Sequence, residues 1–120
     1  MPSTGRHDSM AQDAFDKDLV TGSYDLVALH LLAEGPTYAY DMIRRISGKT
    51  RQLIRWREGT AYRVLHDLER RGLVAARWRG PKAGRRRCYY RLTERGRRAL
   101  RERRRQWQHF RRTMDTLLSC

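Results

Sequence analysis

The chain has 120 residues, with 27 Lys and Arg against 13 Asp and Glu and a net charge of +14. That length bounds one small domain with a modest core and excludes a multidomain enzyme with a separate cofactor domain. The charge demands a polyanionic partner, DNA, RNA or an anionic membrane surface, unless a G·C-rich coding genome has merely inflated the Arg content.

The charge is polarised. Residues 1–43 hold seven acidic residues against Arg6 and Lys17, so the whole basic excess lies beyond them. No run of about 18 apolar residues occurs and the N-terminal stretch is not of secretory type, which predicts a soluble intracellular protein without a membrane partner. Cys88 and Cys120 lack metal-ligand spacing, so both are expected as reduced thiols, with no metal and no cofactor.

Residues 1–20 are polar and aperiodic, predicting a flexible arm that orders from about Phe15. From Ser23 to Glu34, Leu26, Val27, Leu29, Leu31 and Leu32 predict an almost wholly apolar core helix stopped by Gly35-Pro36. A second helix is expected from an N-cap at Thr37 to a stop at Gly48, followed by a basic turn over residues 48–51. Leu53-Ile54-Arg55-Trp56 alternates like a short strand. A third helix is expected from Gly59 to Arg71, closed by Gly72, with Ala61, Leu65 and Leu68 facing inward and Thr60, Arg63, Asp67 and Arg70 outward.

The period then changes. Residues 73–78 and 87–92 read as two strands around Gly80-Pro81-Lys82-Ala83-Gly84, a hairpin with a basic tip. Thr93 caps a final helix from Glu94 toward Leu118, on which Leu100, Trp107, Phe110, Met114 and Leu117 form an apolar stripe of near-heptad spacing. The predicted fold is therefore mainly α with a small β-hairpin: residues 21–93 a winged helix-turn-helix, residues 94–120 a long C-terminal dimerisation helix. In that architecture the third helix enters the DNA major groove and the hairpin reaches the backbone or minor groove. The core is already supplied by three helices, so the aromatic end of the last helix calls for a partner helix, most simply from a second copy.

Several motifs agree in order. Leu31-Leu32-Ala33-Glu34-Gly35-Pro36 followed by Tyr38-Ala39-Tyr40-Asp41, then Gly59-Thr60-Ala61-Tyr62, then Leu65 to Val74, then Gly84 to Gly96 together resemble the PadR family of bacterial transcriptional regulators in its short form. The resemblance runs from Tyr24 to Leu118. It implies a double-stranded DNA-binding regulator of the repressor type, nucleoid-associated in the cytoplasm, acting as a homodimer on a pseudo-palindromic operator with recognition helices about 34 Å apart.

The DNA-contacting candidates are Tyr40, Lys49, Thr50, Arg57, Thr60, Tyr62 and Arg63, with Lys82, Arg85, Arg86 and Arg87 on the wing. The two tyrosines resemble family residues that donate to the DNA backbone, although simple packing is their alternative. Thr60 can reach a phosphate or base edge, or cap its helix. This chain has Arg57-Glu58 and Arg63 where the family commonly has Ser-Pro and Pro, so the family's target sequence does not carry over. Arg63 can pair bidentately with guanine, for about 1–3 kcal/mol of discrimination, or touch phosphate.

Family members that sense small, often aromatic molecules imply an effector stacking on Trp107 and Phe110, against the alternative that both rings only pack. The rivals are an effector-independent adaptor or activator contacting the transcription machinery, and an RNA-binding protein, whose cue of aromatic side chains on a sheet face is not evident. His7, His30, His66 and His109 lie on separate segments without an acid–base constellation, which argues against an enzyme.

Overall fold

The computed structural model describes residues 15–81, 84 and 86–119. Eight elements follow in order: α1 (Lys17–Thr21), α2 (Tyr24–Leu32), β1 (Thr37–Tyr38), α3 (Ala39–Lys49), α4 (Glu58–Arg70), β2 (Val74–Arg79), β3 (Arg87–Leu92) and α5 (Glu94–Leu118). They build a winged helix-turn-helix. Leu29, Met42, Leu65 and Leu68 are fully buried, so α2, α3 and α4 meet in one core, closed by Leu73, Val74, Tyr90, Leu92 and Leu100.

Four local expectations shift. Thr37 is not the cap of the second helix: it pairs with Tyr90 of β3, adding a third strand in the order β1-β3-β2, and Tyr38 takes the cap position. Gly48 does not stop that helix, which runs on to Lys49. The reversal is made by Arg51 and Gln52, both at positive φ, with the Gln52 N–H bonded to the Ser47 carbonyl. Residues 53–56 form no strand, because no neighbouring strand is available. Instead the Thr50 hydroxyl donates to the Ile46 carbonyl at 2.8 Å and accepts the Ile54 N–H at 3.1 Å, while Trp56 is buried edge-on against Tyr24. The expected arm of residues 1–20 lies outside the described residues up to 14, and its last four residues belong to α1, capped by the Asp16 carboxylate.

One junction sets the relation between α4, the hairpin and α5. Gly72, at φ +79°, turns the chain out of α4 in a conformation that costs a residue with a side chain, and its carbonyl accepts the Thr93 hydroxyl at 2.7 Å. The Thr93 N–H bonds the Leu73 carbonyl at 3.1 Å, and the Thr93 hydroxyl caps α5 by accepting the Gly96 N–H at 3.0 Å. Gly96 is buried. A Cβ there would overlap the Leu73 carbonyl oxygen and come within 3.0 Å of the Leu92 side chain, so only glycine lets α5 pass this close.

Gly96→Ala is therefore expected to destabilise the protein by about 2–3 kcal/mol, despite the ~1 kcal/mol that Ala normally gains over Gly inside a helix. Urea denaturation checks this. A variant as stable as the parent would mean that α5 is not held against Leu73.

Candidate nucleic-acid interface

On α4, Ala61, Val64, Leu65 and Leu68 are buried, and at 3.6 residues per turn the opposite face carries Gly59, Arg63, His66 and Arg70, all exposed. Arg70 is bonded to Asp67 at 2.7 Å, whereas Arg63 has no ion-pair partner among the described residues. Gly59 leaves the first turn bare: a Cβ there would meet nothing within 4 Å. The cap position of α4 belongs to Arg57, so Thr60, half-buried in the first turn, does not cap it.

Beside this face opens a cleft of about 730 Å³, bounded by Tyr40 at the start of α3, Tyr62 and His66 on α4, and Trp78 and Arg86 on the hairpin. Tyr40 and Tyr62 are exposed, the former under the Arg44 guanidinium at 5.6 Å and the latter 6.0 Å from the His66 ring. Arg86 stands over Trp78 at 5.8 Å. Glu58 and Glu69 give the cleft mixed charge. Sequence reasoning singled out neither His66 nor Trp78; the three-residue step from Arg63 marks the first, and strand alternation opposite Cys88 marks the second.

The Thr37 hydroxyl donates to Asp41 at 2.9 Å and Arg44 to its other oxygen at 2.7 Å, so β1 and α3 are tied at the mouth of the cleft. The Arg44 hydrogen bond, opposed by partial burial, holds the Asp41 carboxyl below its ordinary value.

Strand pairing sends Arg86 and Arg87 to opposite faces of the hairpin, with Arg87 over the Tyr38 ring at 4.7 Å. Lys82 and Arg85 lie outside the described residues. Lys49 and Thr50 are not brought to the cleft. Lys49 pairs with Glu34 at 3.7 Å, Thr50 bridges Ile46 and Ile54, and both line a second cavity of about 350 Å³ between α2, the end of α3 and α5. Trp107 lines that cavity with Leu26 and Leu31; Phe110 does not.

Along α5 only Gly96 and Leu100 are buried. Beyond them the stripe continues uncovered, with Trp107 49%, Phe110 57% and Leu117 64% exposed and Met114 half-buried. Asp25 of α2 accepts Arg71 at 2.6 Å and Arg103 at 3.0 Å, tying the residue after α4 to the middle of α5. No helix among the described residues is long and apolar enough to cross a membrane.

The model of the transcriptional regulator PadR-like family matches residues 28–102. A transcriptional regulator from Clostridium thermocellum is similar at 28% identity and a TM-score of 0.80, over 87% of this chain and 98% of that one. A PadR family transcriptional regulator from Eggerthella lenta is similar at 28% identity and 0.77, over 96% and 97%. PadR of Bacillus subtilis, solved in complex with operator DNA, shares the fold at 22% identity and 0.60, over 65% of this chain and 44% of that one.

A carboxyl with a lowered value contributes stability that is fully present above the ordinary Asp range and is lost as the pH falls through the lowered value. Asp41→Asn should therefore cost about 1 kcal/mol at neutral pH, and the cost should shrink as the pH falls below the ordinary Asp range. Urea titrations at neutral pH and below that range check this, and an equal cost at both would exclude the ion pair as its cause.

Proposed function

Since the chain belongs to the PadR-like family of transcriptional regulators, a family of regulators and not of enzymes, we propose that it is a homodimeric repressor of duplex DNA. Its α4 lies in the major groove and its hairpin against the adjoining backbone. The observation that carries this reading is Arg63, exposed and without an acidic partner on the face of α4 directly opposite the core. Tyr40 and Tyr62 flank the cleft beside it and supply hydroxyls for backbone phosphates; Arg57, Thr60, Arg86 and Arg87 complete the contacting set. The relative of this fold from Bacillus subtilis, solved in complex with operator DNA, is in keeping with DNA as the partner.

The uncovered stripe of Trp107, Phe110, Met114 and Leu117 supports dimerisation through α5, because contiguous apolar surface of this kind is costly to leave in water. Two subunits related by a two-fold axis then read a pseudo-palindrome. The cavity beside Trp107 is apolar inside, with His30, Lys49 and Arg104 at its rim, and suits a small aromatic effector. Such a ligand would quench Trp107 fluorescence and weaken operator binding together.

Selection of bound sequences from a random duplex pool tests the DNA reading. The expected result is a pseudo-palindrome with half-sites about 34 Å apart, and Arg63→Ala relaxing the choice at one position per half-site by about 1–3 kcal/mol. Equal binding of duplex, single strands and structured RNA would overturn it. Light scattering on the full chain should give the mass of two subunits, and Leu117→Asp should shift that mass toward one; a monomeric parent at micromolar concentration would remove the dimer.

A further inference from the structure

The hairpin has a second face. In the register Ala75↔Arg91, Arg77↔Tyr89 and Arg79↔Arg87, one side of the sheet carries Arg77, Arg79, Arg87 and Arg91 together with Tyr89, and β1 adds Tyr38 beside it. The other side carries Val74, Ala76 and Trp78 with Leu92, Tyr90 and Cys88, which meet the core and the cleft; Tyr38 and Arg87 of the first side reach the edge of that cleft as well. Thus aromatic side chains do lie on a sheet face. They were hidden in the sequence because Tyr38 reads as helical.

This outer face is organised for anions. Tyr38 and Tyr89 meet edge to face with centroids 5.2 Å apart, and the Arg87 and Arg79 guanidinium groups lie over them, each at 4.7 Å. None of the four arginines has an ion-pair partner among the described residues, while both arginines of α3, Arg44 and Arg45, have one. Arg79 and Arg87 are directly opposed across the ladder, a like-charge pair that weakens a sheet. The rings fix both guanidinium groups without neutralising them.

We infer that this outer face is a second DNA-contacting surface, which continues from Arg87 at the edge of the operator onto the phosphate backbone flanking it. The inference rests on the duplex-binding reading above. The two-stranded part of the hairpin is one sheet thick, so a backbone met by Arg86 on one side can continue past Arg79 and Arg87 on the other. Along β2, Arg77 follows Arg79 at about 7 Å, a step that spans successive phosphates of one strand. The surface is uniformly basic and carries no apolar patch, which fits a phosphate backbone and not a protein interface built around a desolvated apolar centre.

The test compares two duplexes, one limited to the selected operator and one extended by about one helical turn, roughly 10 base pairs, of arbitrary sequence at each end. Anisotropy titrations across salt should show the full-length protein binding the extended duplex several-fold more tightly and with a steeper slope. Arg77→Ala with Arg91→Ala spares both ring stacks and should abolish the advantage, lowering the slope per subunit on the extended duplex by about two and leaving the short duplex unchanged. Arg77→Lys with Arg91→Lys should retain it, and matching melting curves separate the effect from misfolding. A parent that gains nothing from the flanks, or an Ala variant that keeps the full gain, would overturn the inference and leave operator binding standing. A parent that binds no duplex would overturn both.

Discussion

The close passage of α5 across Leu73 is the constraint on which the remaining geometry depends. Gly72, Leu73, Thr93 and Gly96 bring the end of α4, both strands of the hairpin and the start of α5 to one place through three hydrogen bonds and one missing Cβ. Any side chain at residue 96 would lift α5 off the Leu73 carbonyl and change its direction of departure. Because α5 is 25 residues long, about 37 Å from end to end, a small change in angle at its base becomes a large displacement at Leu117. The Asp25 carboxylate, holding Arg71 and Arg103 together, opposes that rotation from further along α5.

The arginines divide into two populations with different physical tasks. Arg44 and Arg45 of α3, Arg70 of α4, Arg71 just after it and Arg98, Arg103 and Arg105 of α5 are bonded to carboxylates, and pairs such as Arg71 with Asp25, where the hydrogen bond raises the guanidinium value further, serve to fix elements to one another. Arg63 of α4, Arg77, Arg79, Arg87 and Arg91 of the hairpin and several arginines of α5 have no carboxylate partner among the described residues. Exposed ion pairs contribute little energy, so the division matters less for stability than for where the field of a strongly basic protein emerges. It emerges beside the cleft, on the sheet and along α5.

Much of this was legible in the sequence because it is local. The stripe on α5, its Thr93 cap, the three inward positions of α4 and the alternation of the two wing strands are set by periods of 3.6 and 2 and by side chains that bond their own backbone. The misses share a different cause. Thr37 and Tyr38 become a strand only because β3 lies beside them, Gly48 is carried through by a helix whose end is fixed by Thr50, and residues 53–56 have no strand to pair with. Lys49 is a basic residue near a turn, which is why it reads as a phosphate contact; only the position of Glu34, on a different element, turns it away. His66 and Trp78 were hidden by type, since neither carries the charge by which DNA-facing residues are usually found.

The two cavities lie at opposite ends of α3, the larger at Tyr40 and the smaller at Lys49 and Thr50. The helix between them has 11 residues, about 16 Å, and is anchored at its start by the Asp41 contacts and at its end by the Thr50 hydroxyl. A rigid element anchored at both ends transmits displacement and does not absorb it. Occupancy beside Trp107 can therefore alter the cleft only if a ligand binds one arrangement of α3 and α5 better than another, and the shift it produces is bounded by that difference in affinity. Tight binding to both arrangements would leave DNA affinity untouched. A ligand in that cavity would act where α5 meets α2 and the end of α3, while Gly96 and Asp25 hold α5 to the hairpin, to α2 and to the residue after α4.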